Sequence, residues 1–172
     1  MYASELERRT LFRLGPPGDP RMTPPELVLT HVVDAPHDRV WAAWTEPARI
    51  VQWWGPHGFT IPEFEADLRA GGTIRYAMRG PDGDLYPSSG TFEVVESPHR
   101  IVTFVFVKID DAIVFNARTD VRFAGEGEKT RVDVTQTYEN ATPAAAEPIR
   151  LAPIGWAQQF ERLEAFLAAS KD

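Results

Sequence analysis

Two periods of hydrophobic and polar positions divide this chain. Over residues 153–169, Trp156, Phe160, Leu163 and Leu167 recur at i, i+4, i+7 and i+11, with Phe166 beside them and Gln158, Glu161, Arg162 and Glu164 on the other face. That spacing predicts one long amphipathic helix. From Phe64 the period shortens to two: Phe64, Ala66 and Leu68 alternate with Glu65, Asp67 and Arg69, then Ile74, Tyr76 and Met78 with Arg75, Ala77 and Arg79. Gly71-Gly72 between the two runs predicts a hairpin. Further strands are expected at about residues 86–96, 100–107, 119–124 and 130–139. A helix with so many aromatic side chains needs a broad apolar surface to pack on, and only the sheet provides one. The expected architecture is a sheet wrapped around a single long helix.

Residues 27–34 read as a first strand, rich in Val, Leu and Thr. Ala35-Pro36 closes it, and residues 37–44 place Val40, Trp41 and Trp44 on one side of a short helix. Thr45-Glu46-Pro47 punctuates, a second short helix follows at 48–54, and Gly55-Pro56 stops it. Such short helices are not stable alone and must lean on the sheet. In residues 130–139, Val132, Val134, Gln136 and Tyr138 alternate with Arg131, Asp133, Thr135 and Thr137, giving one buried and one wet face. Residues 101–107 are apolar on both faces, so this strand is covered on both or meets a partner. Residues 108–117 read either as a loop or as extensions of the flanking strands, and 141–153 as a connection rich in Pro and Ala. Residues 1–26 form an arm and linker: Leu6, Leu11, Phe12 and Leu14 lie among Arg8, Arg9 and Arg13, and Gly15-Pro16-Pro17-Gly18-Asp19-Pro20 breaks regular structure. The arm packs on the domain or on a second copy, unless Met22 is the natural start. Residues 27–172 are expected to form a single domain.

Composition narrows the function classes. The 172 residues are 43% hydrophobic and 11% aromatic, which suits one globular domain with a real core. A net charge of −7 argues against the nucleic-acid backbone as a partner and disfavours anionic membranes. No apolar run approaches the length of a membrane span. The N-terminus lacks a signal-peptide pattern, because Glu5, Glu7, Arg8 and Arg9 interrupt it, so a cytoplasmic location is expected. With no cysteine there is no disulfide framework and no thiolate nucleophile.

Several short motifs occur in a fixed order: Asp34-Ala35-Pro36, Val40-Trp41 with Trp44, Trp53-Trp54-Gly55-Pro56, Asp67-Leu68-Arg69-Ala70-Gly71-Gly72, Pro81-Asp82-Gly83, Gly90 with Phe92, and Gly155-Trp156. Over residues 27–169 this series resembles the family named for homologues of the activator of the 90-kDa heat-shock chaperone ATPase, within the START-like superfamily. The resemblance implies an α+β helix-grip fold in the order strand, two helices, six strands, long helix, with a cavity between sheet and helix. Members of the superfamily use that cavity for apolar small molecules, and some are cyclases or hydrolases. The eukaryotic namesake stimulates a chaperone ATPase and carries a further domain that has no counterpart here, so a chaperone contact is the weaker expectation. Most of the matching residues are turns, caps and packing positions, which speak to fold rather than chemistry.

The residues expected to line such a cavity are Trp156, Gln159 and Phe160 from the helix, Tyr76, Met78, Phe92, Phe104 and Phe106 from the sheet, and Trp53 and Trp54 at the mouth. Each taken singly fits ordinary core better than a ligand contact, and together they fit a full core as well as a lined cavity, since periodicity cannot tell an empty space from a filled one. Acid–base candidates are His31, which alternates with Leu29 and Val33, Tyr76, and Glu93, which falls on the opposite phase from Phe92 and points inward only if that phase is reversed. His31, His37, His57 and His99 are not spaced as metal ligands on one element, and neither metal nor cofactor is expected. No phosphate loop, nucleophile elbow or dinucleotide fingerprint occurs. The expected activity is non-catalytic binding of an apolar or aromatic small molecule, with a cyclase- or hydrolase-type enzyme and a protein-interaction module as alternatives. A homodimer would form through the doubly apolar strand or the arm.

Overall fold

The computed structural model describes the backbone of residues 10–13 and residues 26–170 in full. Most of the expected arm and linker therefore lies outside the described residues. Within it, Thr10–Arg13 forms a strand, β1, paired antiparallel with β2, Glu26–Val33. Two helices follow, α1 at His37–Thr45 and α2 at Pro47–Ile50. Six strands come next: β3 Thr60–Ala66, β4 Thr73–Arg79, β5 Leu85–Glu96, β6 Arg100–Ile109, β7 Ala112–Glu126 and β8 Lys129–Glu139. The chain ends in α3, Ala146–Ala169. Among the described residues the eight strands form one sheet in the order β1-β2-β8-β7-β6-β5-β4-β3, antiparallel throughout. This is an α+β helix-grip architecture with one strand added at the β2 edge.

The sheet curls because its strands are irregular at defined places. Pairing slips between Thr60 and Glu63, between Phe92 and Val94, and between Val107 and Lys108. Each such bulge increases local twist and bends its strand. Gly90 has a sharper role: a Cβ there would sit 1.9 Å from the Phe104 carbonyl oxygen, so only glycine lets β5 approach β6 so closely.

The uncertain stretch at 108–117 proves to be two strand extensions rather than a loop. β6 and β7 join through Asp110 and Asp111, whose φ values of 49° and 63° are the paired left-handed residues of a two-residue hairpin turn. The second short helix is shorter than its pattern: only Pro47–Ile50 is α-helical, and Trp53 and Trp54 follow in turns whose N–H groups reach the Ile50 carbonyl.

The largest revision concerns the C-terminal helix. It starts at Ala146, seven residues before the expected start, so most of the expected 141–153 connection is helical. Pro148 lies in the first turn, where a missing N–H costs nothing, but Pro153 is inside the helix and cannot donate to the Ile149 carbonyl. The stripe simply continues upstream, through Ile149 and Ala152 to Trp156. Trp156, Phe160, Leu163 and Leu167 are all buried, against a core that includes Leu27, Leu29 and Val33 of β2 and Val40, Ala43 and Trp44 of α1. Of the earlier turns of α3, only Ile149 is fully buried. That half of the helix bridges an open concavity.

Candidate functional site

The space under the N-terminal half of α3 has a volume of about 760 Å³. Its floor is the concave face of the sheet, and one end is closed by Trp44, Ile50 and Trp54 from the two short helices and the turn after them. Leu68, Leu151 and Ile154 edge the opening and are partly exposed. Among the described residues lining the space, Glu147 is the one Asp, Glu, Lys, Arg or His, and it lies in an exposed position at the start of α3.

The alternation of the strands decides which expected residues reach this space. Tyr76, Met78 and Phe92 point into it from β4 and β5, Trp156 and Gln159 from α3, and Trp54 from the turn after α2. Four others do not. Ile101, Thr103, Val105 and Val107 are the inward residues of β6, which puts Phe104 and Phe106 on the convex face, their rings packed edge to face at 5.4 Å. The reason is the doubly apolar character of that strand, which hid its phase. Trp53 is fully buried in the core, its indole N–H donating to the Ala43 carbonyl at 3.0 Å, rather than at a mouth. Phe160 packs between His31, with ring centroids 4.6 Å apart, and Trp44, and lies beneath the concavity rather than along it.

The acid–base candidates are scattered. His31 does face inward from β2, but under the C-terminal half of α3, where its Nε2 lies 3.3 Å from a Glu164 carboxylate oxygen. That histidine contact, with a backbone hydrogen bond at Asp34 and nearby Lys129, holds the Glu164 carboxyl below the usual range against the opposing effect of burial. Glu93 stays on the convex face and accepts from Arg118 at 2.7 Å. Tyr76 alone of the three lines the concavity. Burial raises its phenol pKa, offset in part by the Ser88 and Trp54 side chains beside it, so it holds its proton near neutrality. Among the described residues no cluster of three or more His, Asp or Glu side chains is arranged to hold a metal ion, and no helix is long and apolar enough to cross a membrane.

Sequence reasoning missed the polar centre of the floor. Gln136 of β8 accepts from Tyr138 Oη at 2.6 Å and from Trp156 Nε1 at 3.2 Å, both through Oε1, and its Nε2 donates to Thr119 Oγ1 of β7 at 2.8 Å. The signal was present: Gln136 is the polar member of an otherwise apolar inward phase, between Val134 and Tyr138. Burial also raises the Tyr138 phenol pKa, so it remains a donor.

A second polar group fixes the closed end. Gln159 Oε1 accepts the Gly55 N–H at 2.9 Å, and Arg162 Nη1 donates to the carbonyls of Trp54, Gly55 and Pro56 at 3.0, 2.9 and 3.1 Å. Gln158 Oε1 accepts the His57 N–H, while the His57 ring lies 3.1 Å from Glu161. Gly55 turns the chain at φ +95°, which brings these backbone groups to the helix. Trp54 and Pro56, both lining the concavity, are thereby held through their backbones.

Comparison with solved structures gives the same architecture. A protein from Arthrobacter aurescens is 23% identical, with a TM-score of 0.73 over 86% of this chain and 88% of that one. One from Nitrosomonas europaea is 25% identical, with a TM-score of 0.72 over 85% and 96%. The AHSA1 protein of Silicibacter pomeroyi is 21% identical, with a TM-score of 0.72 over 84% and 98%. No curated protein matches this sequence. The family model described as Activator of Hsp90 ATPase homolog 1-like protein matches residues 34–168, from the turn after β2 almost to the end of α3. The chain belongs to the family of Activator of Hsp90 ATPase homolog 1-like proteins.

Proposed function

We propose that this protein binds an apolar small molecule between the sheet and α3, without chemical change. The observation that carries this reading is the concavity of about 760 Å³, which is lined mainly by apolar and aromatic side chains with a few converging polar groups. Trp54, Tyr76, Met78, Phe92, Trp156 and Gln159 are the proposed contacts. A binding role is favoured over cyclase or hydrolase chemistry by the dispersal of the acid–base candidates: His31 and Glu93 do not line the space, and Tyr76 keeps its proton. Native mass spectrometry of the freshly purified protein tests the proposal. An excess mass released on unfolding is expected; failure to take up any member of a panel of apolar compounds would remove the reading.

The family description supports a second reading, contact with a chaperone ATPase. On that reading the working surface is exposed rather than enclosed, and the Phe104–Phe106 pair on the convex face is its aromatic feature. Chaperone ATPase rate measured with and without the protein separates the two.

A further inference from the structure

We propose that the ligand is an uncharged carbonyl compound whose oxygen accepts a hydrogen bond from Thr119, with the neighbouring Thr103 hydroxyl as a second donor. This rests on the proposed binding role and adds the chemistry of what is bound. The starting point is a single row across the floor of the concavity: Thr103 of β6 pairs with Thr119 of β7, which pairs with Gln136 of β8. All three line the space, and directly opposed residues on one sheet face hold their side chains within reach of one another.

The direction of the hydrogen bonds in this row is fixed from one end. An indole N–H can only donate, so Trp156 Nε1 requires the oxygen of the Gln136 amide at its 3.2 Å contact. Tyr138 Oη, protonated because burial raises its pKa, donates to the same oxygen. The Gln136 amide nitrogen is therefore turned to Thr119, and at 2.8 Å it must donate, which makes the Thr119 oxygen the acceptor. A hydroxyl that accepts in this way keeps its own hydrogen for a further acceptor. Successive bonds of one direction also polarise each other, so the terminal hydroxyl is the better donor. The row thus presents a donor to the cavity and calls for an acceptor on the ligand.

Charge sets the rest of the class. Among the described residues no Lys, Arg or His lines the space, and the one carboxylic acid there is Glu147. A carboxylate or sulfonate seated on the threonines would be buried without a counter-charge, which is strongly unfavourable. A hydrocarbon would leave the Thr119 hydroxyl facing apolar surface. A neutral ketone, ester or quinone on an apolar frame meets both conditions.

Three probes of one shape test this: prodan, a fluorescent naphthalene bearing a propionyl carbonyl; its analogue with a methylene in place of the carbonyl; and its analogue with a carboxylate there. Titrations use the full chain and its Thr119→Val, Thr103→Val and Thr119→Ser variants. Thr119→Val is expected to weaken prodan about tenfold, the equivalent of one hydrogen bond, and to shift bound prodan emission to the blue, while the methylene analogue binds as before. Thr119→Ser should retain both affinity and emission. Thr103→Val, which leaves the Gln136 bond intact, is expected to weaken prodan by a smaller factor. Equal loss for both neutral probes, no loss for either, or carboxylate binding as tight as prodan would overturn the inference while leaving a binding role in place. If no probe binds the unaltered protein, the inference falls, and the native mass spectrum and the wider panel of apolar compounds decide the binding role separately.

Discussion

Gln159 of α3 accepts the backbone N–H of Gly55 at 2.9 Å, and through this contact the long helix and the turn after α2 become one structural unit. Both partners are buried from solvent, so the bond is exchanged for nothing when it is lost. Arg162, one turn further along the helix, closes over the same segment, and its burial lowers the guanidinium pKa below the ordinary value.

Replacing Gln159 by Leu is accordingly expected to destabilise the protein by about 1–3 kcal/mol, the cost of an unsatisfied buried donor. Hydrogen exchange should show the Gly55 amide opening much faster than the amides of β7. Equal exchange at Gly55 in both proteins would mean that the bond does not hold the turn.

The two faces of the sheet predict opposite behaviour for phenylalanines of neighbouring strands. Phe92 is buried on the concave side, and Phe92→Ala should cost about 3–5 kcal/mol and weaken any ligand of the concavity. Phe106 is 36% exposed on the convex side, so Phe106→Ser should cost only about 1 kcal/mol, the loss of its edge-to-face pair with Phe104, and leave ligand affinity unchanged. Urea titration together with prodan binding checks both.

How far the sequence was legible follows from where its periods were clean. The stripe from Trp156 to Leu167 and the alternation through Tyr76 and Met78 identified the helix and one inward strand phase, because one face of each is apolar and the other is not. β6 carries Val102, Phe104 and Phe106 on one face and Ile101, Val105 and Val107 on the other, so hydrophobicity alone could not orient it. The first turns of α3 were hidden for a different reason. Pro143, Pro148 and Pro153 read as breaks, yet Pro148 sits where the N–H is dispensable and the loss at Pro153 is a single bond within a 24-residue helix. Gln136 was placed on the inward face but given no role, because a lone polar residue on a buried phase gains meaning only from Thr119 and Trp156, which are distant in sequence.

Gly90 offers a direct test of how the sheet curls. Its missing side chain is what allows the Phe104 carbonyl within 1.9 Å of where a Cβ would stand, and that neighbour is backbone, which cannot rotate away. Gly90→Ala should therefore cost at least about 3 kcal/mol, seen as a large drop in melting temperature or as failure to fold. A melting curve that overlays the unaltered protein would show that β5 has room the structure does not give it.

Glu164 makes stability depend on pH in the acid range. Its carboxyl pKa is lowered in the folded protein, chiefly by the His31 ring nitrogen 3.3 Å away, so the folded state favours the ionised form more than the unfolded chain does. The stabilisation is then fully present above the unfolded carboxylate value of about 4.3 and is lost as pH falls through the lower folded value. Glu164 is partly exposed at 39% of its side chain, so solvent screening keeps the effect modest. Comparison of the unaltered protein with Glu164→Gln by urea denaturation should give a stability difference that is constant from pH 5 to 6 and shrinks below about pH 4. In His31→Phe, the Glu164 pKa followed by carboxyl-carbon NMR should rise toward the ordinary value. An unchanged Glu164 titration in that variant would mean that the backbone at Asp34 and the charge of Lys129, rather than His31, hold the carboxylate.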